Sequence, residues 1–388
     1  MAIQILQYPA SCSLAQSPIV FAVSESLSGS VASSSFQYIA ELWYWTGSTN
    51  NSSSIAQFTL AKYPNQSLSG IFDFGKIINS TLQDPLEANP SDVKFFKGEF
   101  YHQYISASVF VTSSRVGTGV YRAIDGYAIY QEPITQSLDV KTPHWPIMSD
   151  GPATQSAFSD NLGKMGVWVG QGFSNAANYI EYVGSNGQTA LVALSGTAST
   201  DGQINGFPIG LGEVTNPISS SVDFYTVQAY EDALALGTPI RFNVECKKKY
   251  PNVRIKWKNR YGQFDFLNFN LVSRESFNTQ IRTFQQQIGS WESPTLSYNN
   301  YDSATQNYSA DSTQTLTVNS DWLSEDYNEI LKQLMVSDEI YWIYDETSGD
   351  LRPITIQTNS ITFKTNVVDK LIQYSFDFQF GQAYKLVL

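Results

Sequence analysis

Imidazole is the side chain that titrates near neutrality, so the two histidines of this 388-residue chain, His102 and His144, are the first places to look for acid–base or metal chemistry. Neither has a companion at ligand or triad spacing; His102 reads as a strand residue, and His144, between Pro143 and Trp145, as a structural one. Cys12 and Cys246 lie far apart and match no metal or redox pattern, which predicts two free thiols. The glycine pairs Gly117/Gly119 and Gly210/Gly212 lack the third glycine and the strand-to-helix setting of a phosphate loop, and read as turns. Asp345-Glu346 with Asp350 is an acidic cluster placed as a hairpin turn. A glycosidase needs only two carboxylates, and Asp125 with Glu132 is the pair the sequence leaves open for one. No nucleophile elbow or H-E-x-x-H helix is present. The expectation is no catalytic residue, no cofactor, no metal and no enzymatic activity.

The remaining concentration of chemistry is positive charge. Lys247, Lys248 and Lys249 are followed by Arg254, Lys256, Lys258 and Arg260, in a chain whose formal net charge is −12. With Tyr250, Trp257 and Tyr261 interleaved, such a stretch could stack and neutralise nucleic acid. The acidic remainder favours a different reading, in which the positive face meets an acidic neighbour and local complementarity sets the register of like subunits. Nucleic acid is therefore not expected as a partner.

These residues sit on the densest run of strand signals, Pro239 to Ser273. Ile240, Phe242 and Val244 alternate with polar residues, a Tyr250-Pro251-Asn252 turn follows, and a return strand puts Val253, Ile255 and Trp257 on one face. Arg254, Lys256 and Lys258 fall on the other. The alternation changes parity at Phe266-Leu267, which predicts a bulge or bend.

Composition points the same way. Aromatic residues make up 14% of the chain and charged residues 15%, a balance that suits pleated sheets. The fold class expected is mainly β: tandem β-sandwich domains with a C-terminal antiparallel sheet and one amphipathic helix. Residues 1–136 read as a sandwich of immunoglobulin or fibronectin type, with a short helix capped by Asp73 over Phe74, Ile77, Ile78 and Leu82. Within it Phe36 to Trp45 is apolar on both faces, so Trp43 and Trp45 are candidate interface residues. Residues 137–152, rich in proline, read as a linker, and 153–273 as a second sandwich closed by the basic hairpin. Residues 274–388 form an assembly domain. There Phe277 to Trp291 suits a helix or an extended arm, Tyr298 to Thr315 a surface or intersubunit loop, and Asp321 to Val336 a helix capped by Asn319 or Ser320. The closing strand puts Ile372, Tyr374, Phe376, Phe378 and Phe380 on one face, and Tyr374, Phe376 and Phe378 join the interface candidates. No apolar run is long enough to span a membrane, and the amino end carries no secretion signal.

The strings PIVFAVSES, FQYIAELWYWTG, LAKYP with GIFDFGKIINSTL, GYAIYQEPI, RFNVECKKKYPNVRIKWKNRYGQFDFLNF, DWLSEDYNEILKQLMVSDEIYWIYD and LIQYSFDFQFGQAYKLV together resemble virion structural proteins of tailed bacteriophages infecting Bacteroidota. The resemblance implies a β-rich, oligomeric tail-tip or baseplate subunit, made in the bacterial cytoplasm and carried in the virion, whose partners are copies of itself and other virion proteins. A carbohydrate- or receptor-binding adhesin module facing a host-surface glycan, and a head-associated structural protein, are the alternatives.

Overall fold

The computed structural model describes residues 3–25, 35–47, 56–82, 93–133, 137–138, 147–169, 178–194, 203–213, 215–219, 221–231, 233–245, 250–290, 292, 294–345, 347–363 and 371–381. It is mainly β, in sandwich-like layers with short helices. The chain divides into two compact units, residues 1–246 with 258–266, and residues 247–257 with 267–388.

The first unit contains two sandwiches. In one, a three-stranded sheet (Gln4–Gln7, Val20–Ser24, Ser69–Asp73) faces a seven-stranded sheet built on Gln37–Thr46 and Lys94–Ser106. Alternation explains the filling: Phe21 and Val23 point in from one sheet, and Tyr38, Ala40, Leu42, Phe96 and Phe100 from the other. The Tyr38 hydroxyl is satisfied inside this core, accepting from Glu25 N at 3.1 Å and donating to Leu68 O at 2.7 Å. The expected short helix is present but only five residues long, Gly75–Asn79, and Phe74 rather than Asp73 stands at its N-cap; Asp73 Oδ1 instead accepts from Ile19 N and Gly75 N at 2.9 and 3.0 Å, tying the helix start to the strand before it.

In the other sandwich, a five-stranded sheet orders Thr154–Phe158, Leu234–Glu245, Phe224–Glu231, Asn178–Gly184 and Thr189–Ala193. It packs with the pair Lys164–Val169 and Gln203–Pro208 around Val167, Tyr182, Phe207, Tyr225 and Phe242. A turn at Asn186-Gly187 joins two of these strands, with Gly187 at φ +81° as the left-handed position requires. A smaller cluster, with Cys12, Trp45 and Phe95 from the first sandwich and Trp168 and Ile204 from the second, joins the two into one unit. Half of the stretch expected as a linker, 139–146 with His144, lies outside the described residues.

The second unit is one seven-stranded sheet, in the order Phe264–Phe269, Val253–Lys258, Ile340–Asp345, Asp350–Ile356, Ser375–Phe380, Thr305–Asn319 and Arg274–Gln285. Its outermost hairpin, 253–269, has its turn and flanking residues 258–266 in the first unit. The helix Asn328–Val336 lays Ile330, Leu331 and Leu334 on this sheet, against a core that includes Trp257, Phe269, Leu316, Phe376 and Phe378.

Three expectations are corrected here. The return strand 253–258 does not pair with 240–245; it pairs with Ile340–Asp345, because Val253, Ile255 and Trp257 belong to the helix-covered core. The helix is shorter at its start than Asp321, and neither Asn319 nor Ser320 caps it. Leu323–Ser324 are drawn into a short pair with Leu371–Ile372, and a 3-10 turn, Glu325–Tyr327, leads into the α-helix. Ser320 Oγ instead accepts from Tyr374 N at 2.9 Å. Tyr298 to Thr315 is no loop from Thr305 onward; it enters a fifteen-residue strand.

Leu331 is fully buried while its neighbour Lys332 is exposed, its Nζ 2.9 Å from Glu329 Oε2 and 5.8 Å from the centroid of the Phe363 ring. Leu331→Ala is expected to cost about 2–5 kcal/mol in chemical denaturation, through lost burial and the cavity left. Lys332→Ala should stay within about 0.5 kcal/mol.

Candidate assembly interface

Burial separates the residues that the sequence offers for an interface. Trp45, Tyr374, Phe376 and Phe378 are no more than 6% exposed, and all four fill the chain's own cores. They are corrected from interface to core residues: a side chain already desolvated by its own chain has no apolar area left for a partner. Trp43 is half-buried, with Lys97 Nζ 5.5 Å above its ring and no hydrogen-bond partner for its indole N–H among the described residues. Lys247, Lys248 and Lys249 lie outside the described residues.

The four remaining basic candidates are likewise corrected, since Arg254, Lys256, Lys258 and Arg260 are all buried. Arg254 Nη1 donates to Asn268 Oδ1 at 3.0 Å. Lys258 Nζ is 2.5 Å from Asp125 Oδ2, whose other oxygen accepts from Gln16 Nε2 at 2.9 Å. Arg260 donates from Nη1 to Glu132 at 2.9 Å, and its Nε and Nη2 both reach Asp150. Burial alone would lower the Arg260 pKa, but the Asp150 carboxylate beside it holds it above the ordinary value. The acidic neighbour expected for the positive face is therefore partly the same chain. Asp125 and Glu132, the carboxylate pair left open for a glycosidase, are each tied to a cation of this network.

Local structure accounts for the geometry. Asn259 Oδ1 accepts from Tyr261 N and Gln263 N at 3.0 and 3.1 Å, which shapes the turn at the hairpin tip. Gly262 completes it at φ +69°. Across from it Gly126, at φ +120°, lets Tyr127 N donate to Arg260 O at 2.8 Å; a Cβ on Gly126 would sit 2.2 Å from that carbonyl. Asp265 is buried beneath this turn with no hydrogen-bond partner for either carboxylate oxygen among the described residues, and burial pushes its pKa up to about 7. His102 lies inside a strand opposite Tyr38, its Nδ1 2.9 Å from Glu25 Oε2 and its ring stacked on Phe36. Burial holds its pKa below the usual value against the pull of Glu25. No group of three or more metal-ligating side chains occurs among the described residues.

What stays open to solvent is a feature the sequence placed ambiguously. Arg274–Gln285, the stretch read as helix or arm, is a strand whose twelve residues are all exposed. It pairs antiparallel with Thr305–Asn319 from Arg274↔Thr317 to Gln285↔Thr305, with one irregularity at Arg282/Thr283 where Tyr308 is the extra residue of the inner strand. The arm leaves Phe277, Ile281, Phe284 and Tyr308 each at least 44% exposed. Its apolar residues recur at intervals of four and three, which explains the helical look of the sequence. Elsewhere in the second unit, Tyr250, Leu271, Val272, Asn319, Gln373, Tyr374 and Ser375 line an open cleft of about 420 Å³.

No known protein family and no curated protein matches the chain. Among solved structures, a mutant of Salmonella alpha-2-macroglobulin aligns with 97% of this chain at 8% identity and a TM-score of 0.18. The chain spans 27% of that protein's length, and a likeness this slight carries no argument.

Two measurements probe the tip network. Lys258→Met leaves Asp125 charged and buried without its cation, and is expected to cost about 3–5 kcal/mol, with much of the loss recovered in Lys258→Met/Asp125→Asn. Asp265 has a folded pKa above its unfolded one, so its contribution is full below about pH 4 and is lost as pH rises through about 7. Between pH 5 and pH 8 that amounts to about 2–3 kcal/mol. Asp265→Asn should remove this part of the pH dependence in denaturation curves; an unchanged slope would show that the carboxyl is already ionised at pH 5.

Proposed function

We propose that this chain is a non-enzymatic structural subunit of a tailed-bacteriophage virion, an oligomeric component of the tail tip or baseplate that assembles through β-interfaces. The observation that carries the reading is the long arm, 274–285 with 305–319. Toward its tip, 279–285 with 305–312, it is a two-stranded ribbon largely exposed on both faces, which is marginal in water, and its large apolar side chains are best accounted for by burial against another subunit. The charged and polar clusters of the first unit support it from the other side. Lys258 and Arg260 are ion-paired inside the chain and His102 is buried in a sheet against Glu25, settings that suit groups with a structural part.

The cleft beside Tyr250 and Asn319 favours a second reading, in which the virion protein carries a glycan-binding surface. One aromatic ring, Tyr250, beside the amides of Asn319 and Gln373 is the chemistry that holds a sugar ring.

Immunogold labelling of phage particles with antibody to this chain tests the proposal. Gold clustered at the tail end is the expected result. Gold on the capsid, or on no particle, would sink the tail assignment; binding of the isolated chain to host-surface polysaccharide would move the weight to the adhesin reading.

A further inference from the structure

The outer edge of the arm is as informative as its faces. Arg274–Gln285 ends the seven-stranded sheet, so along its length one row of backbone N–H and C=O groups has no strand beside it among the described residues. Natural edge strands are blunted by proline, lysine, a bulge or an inward charge. This one has no proline, lysine or glycine, its three charges (Arg274, Glu275 and Arg282) stand toward its ends, and the irregularity at Tyr308 lies on the inner strand. The outer strand therefore keeps an unbroken alternation, with Glu275, Phe277, Thr279, Ile281 and Thr283 on one face and Arg274, Ser276, Asn278, Gln280, Arg282 and Phe284 on the other.

That alternation is self-complementary. We propose that the strand 274–285 pairs antiparallel with the same strand of a second copy of this chain, about a twofold axis through Thr279, joining two seven-stranded sheets into one. The inference rests on the reading of the chain as an assembling subunit. In this register Phe277 stands opposite Ile281 of the second copy, and Ile281 opposite its Phe277. Thr279 meets Thr279, and Arg274 meets Phe284 in reach of a cation–π contact. No like charges are opposed. Moving the axis to Asn278 sets Arg274 against Arg282 and Ile281 against Glu275; moving it to Gln280 sets both Phe277 and Ile281 against threonines. An axis at Thr279 thus combines matched apolar pairs with unopposed charge, and a second copy is the partner whose pattern fits by construction.

The size of the contact fixes its character. Eleven paired residues extend about 37 Å, a single line of contact rather than the broad patch of ~1,200–2,000 Å² that a stable interface buries. Association is then concentration-dependent. Two copies of formal charge −12 repel, and the strand itself carries two arginines to one glutamate, so added salt should strengthen the pair.

Cysteine scanning of the full chain in a Cys246→Ser background tests the pairing. Opposed residues of an antiparallel pair have Cα atoms about 4.5–5.5 Å apart, within the range a disulfide spans. Thr279→Cys should give a covalent dimer under mild oxidation, whereas Phe277→Cys or Ile281→Cys alone should not, each facing the other position. Mixing Phe277→Lys with Ile281→Glu chains should restore, in sedimentation velocity, a dimer that each variant has lost. Equal cross-linking at 277, 279 and 281, or none at 279, would overturn the pairing. If cross-linking fails while gold still marks the tail, the edge pairing falls and the assembly reading stands. A dimer at 279 from a chain that gold never finds on a particle supports the pairing and removes the tail.

Discussion

Desolvation of positive charge is the constraint on which the first unit turns. Moving Lys258 and Arg260 out of water costs several kcal/mol per ion unless carboxylates in good geometry offset it. Asp125, Glu132 and Asp150 do this at a turn whose backbone must also come within hydrogen-bond reach of Tyr127. Gly126 and Gly262 permit that approach, so the ion pairs and the two glycines form a single requirement. The tip of the hairpin is specified by charge, and its base, with Ile255, Trp257 and Phe269 in the helix-covered core, by hydrophobic burial.

Much of this was legible in the sequence wherever one face of a strand is buried and the other is not. The alternation at 372–380 and at 240–244 reads out as observed, as does the short helix after Asp73. The change of parity at Phe266-Leu267 also has a physical counterpart, since Phe266 packs on the core of the second sandwich and Leu267 on that of the other unit. What periodicity leaves out is the identity of the partner. Val253–Lys258 alternates as an exposed-face strand would, yet is buried on both sides, and nothing in the strand or the turn after it announces that Lys258 and Arg260 meet carboxylates more than a hundred residues earlier. The same blindness made Trp45, Phe376 and Phe378 look like interface aromatics. An apolar face reads identically whether its own chain or another covers it.

The arm was hard for the opposite reason. In Arg274–Gln285 neither face meets a core, so selection for alternation is weak and Ile281, Phe284 and Ile288 mimic a helical stripe. Hydrogen bonding with the inner strand, rather than side-chain burial, sets the conformation there. A segment whose backbone is ordered but whose side chains are unspent is the expected signature of a surface completed by assembly, and the three large cores already hold the aromatic residues needed for stability without it.

The division of the chain has a genetic consequence. The polypeptide passes between the two units three times, after Cys246, Trp257 and Phe266, so neither unit corresponds to one uninterrupted stretch of coding sequence. A gene fragment ending at Cys246 would encode Asp125, Glu132 and Asp150 without the lysine and arginine that neutralise them. Recombination, which readily exchanges modules that begin and end at a single linker, has no clean place to cut here. The two units are bound to be inherited together.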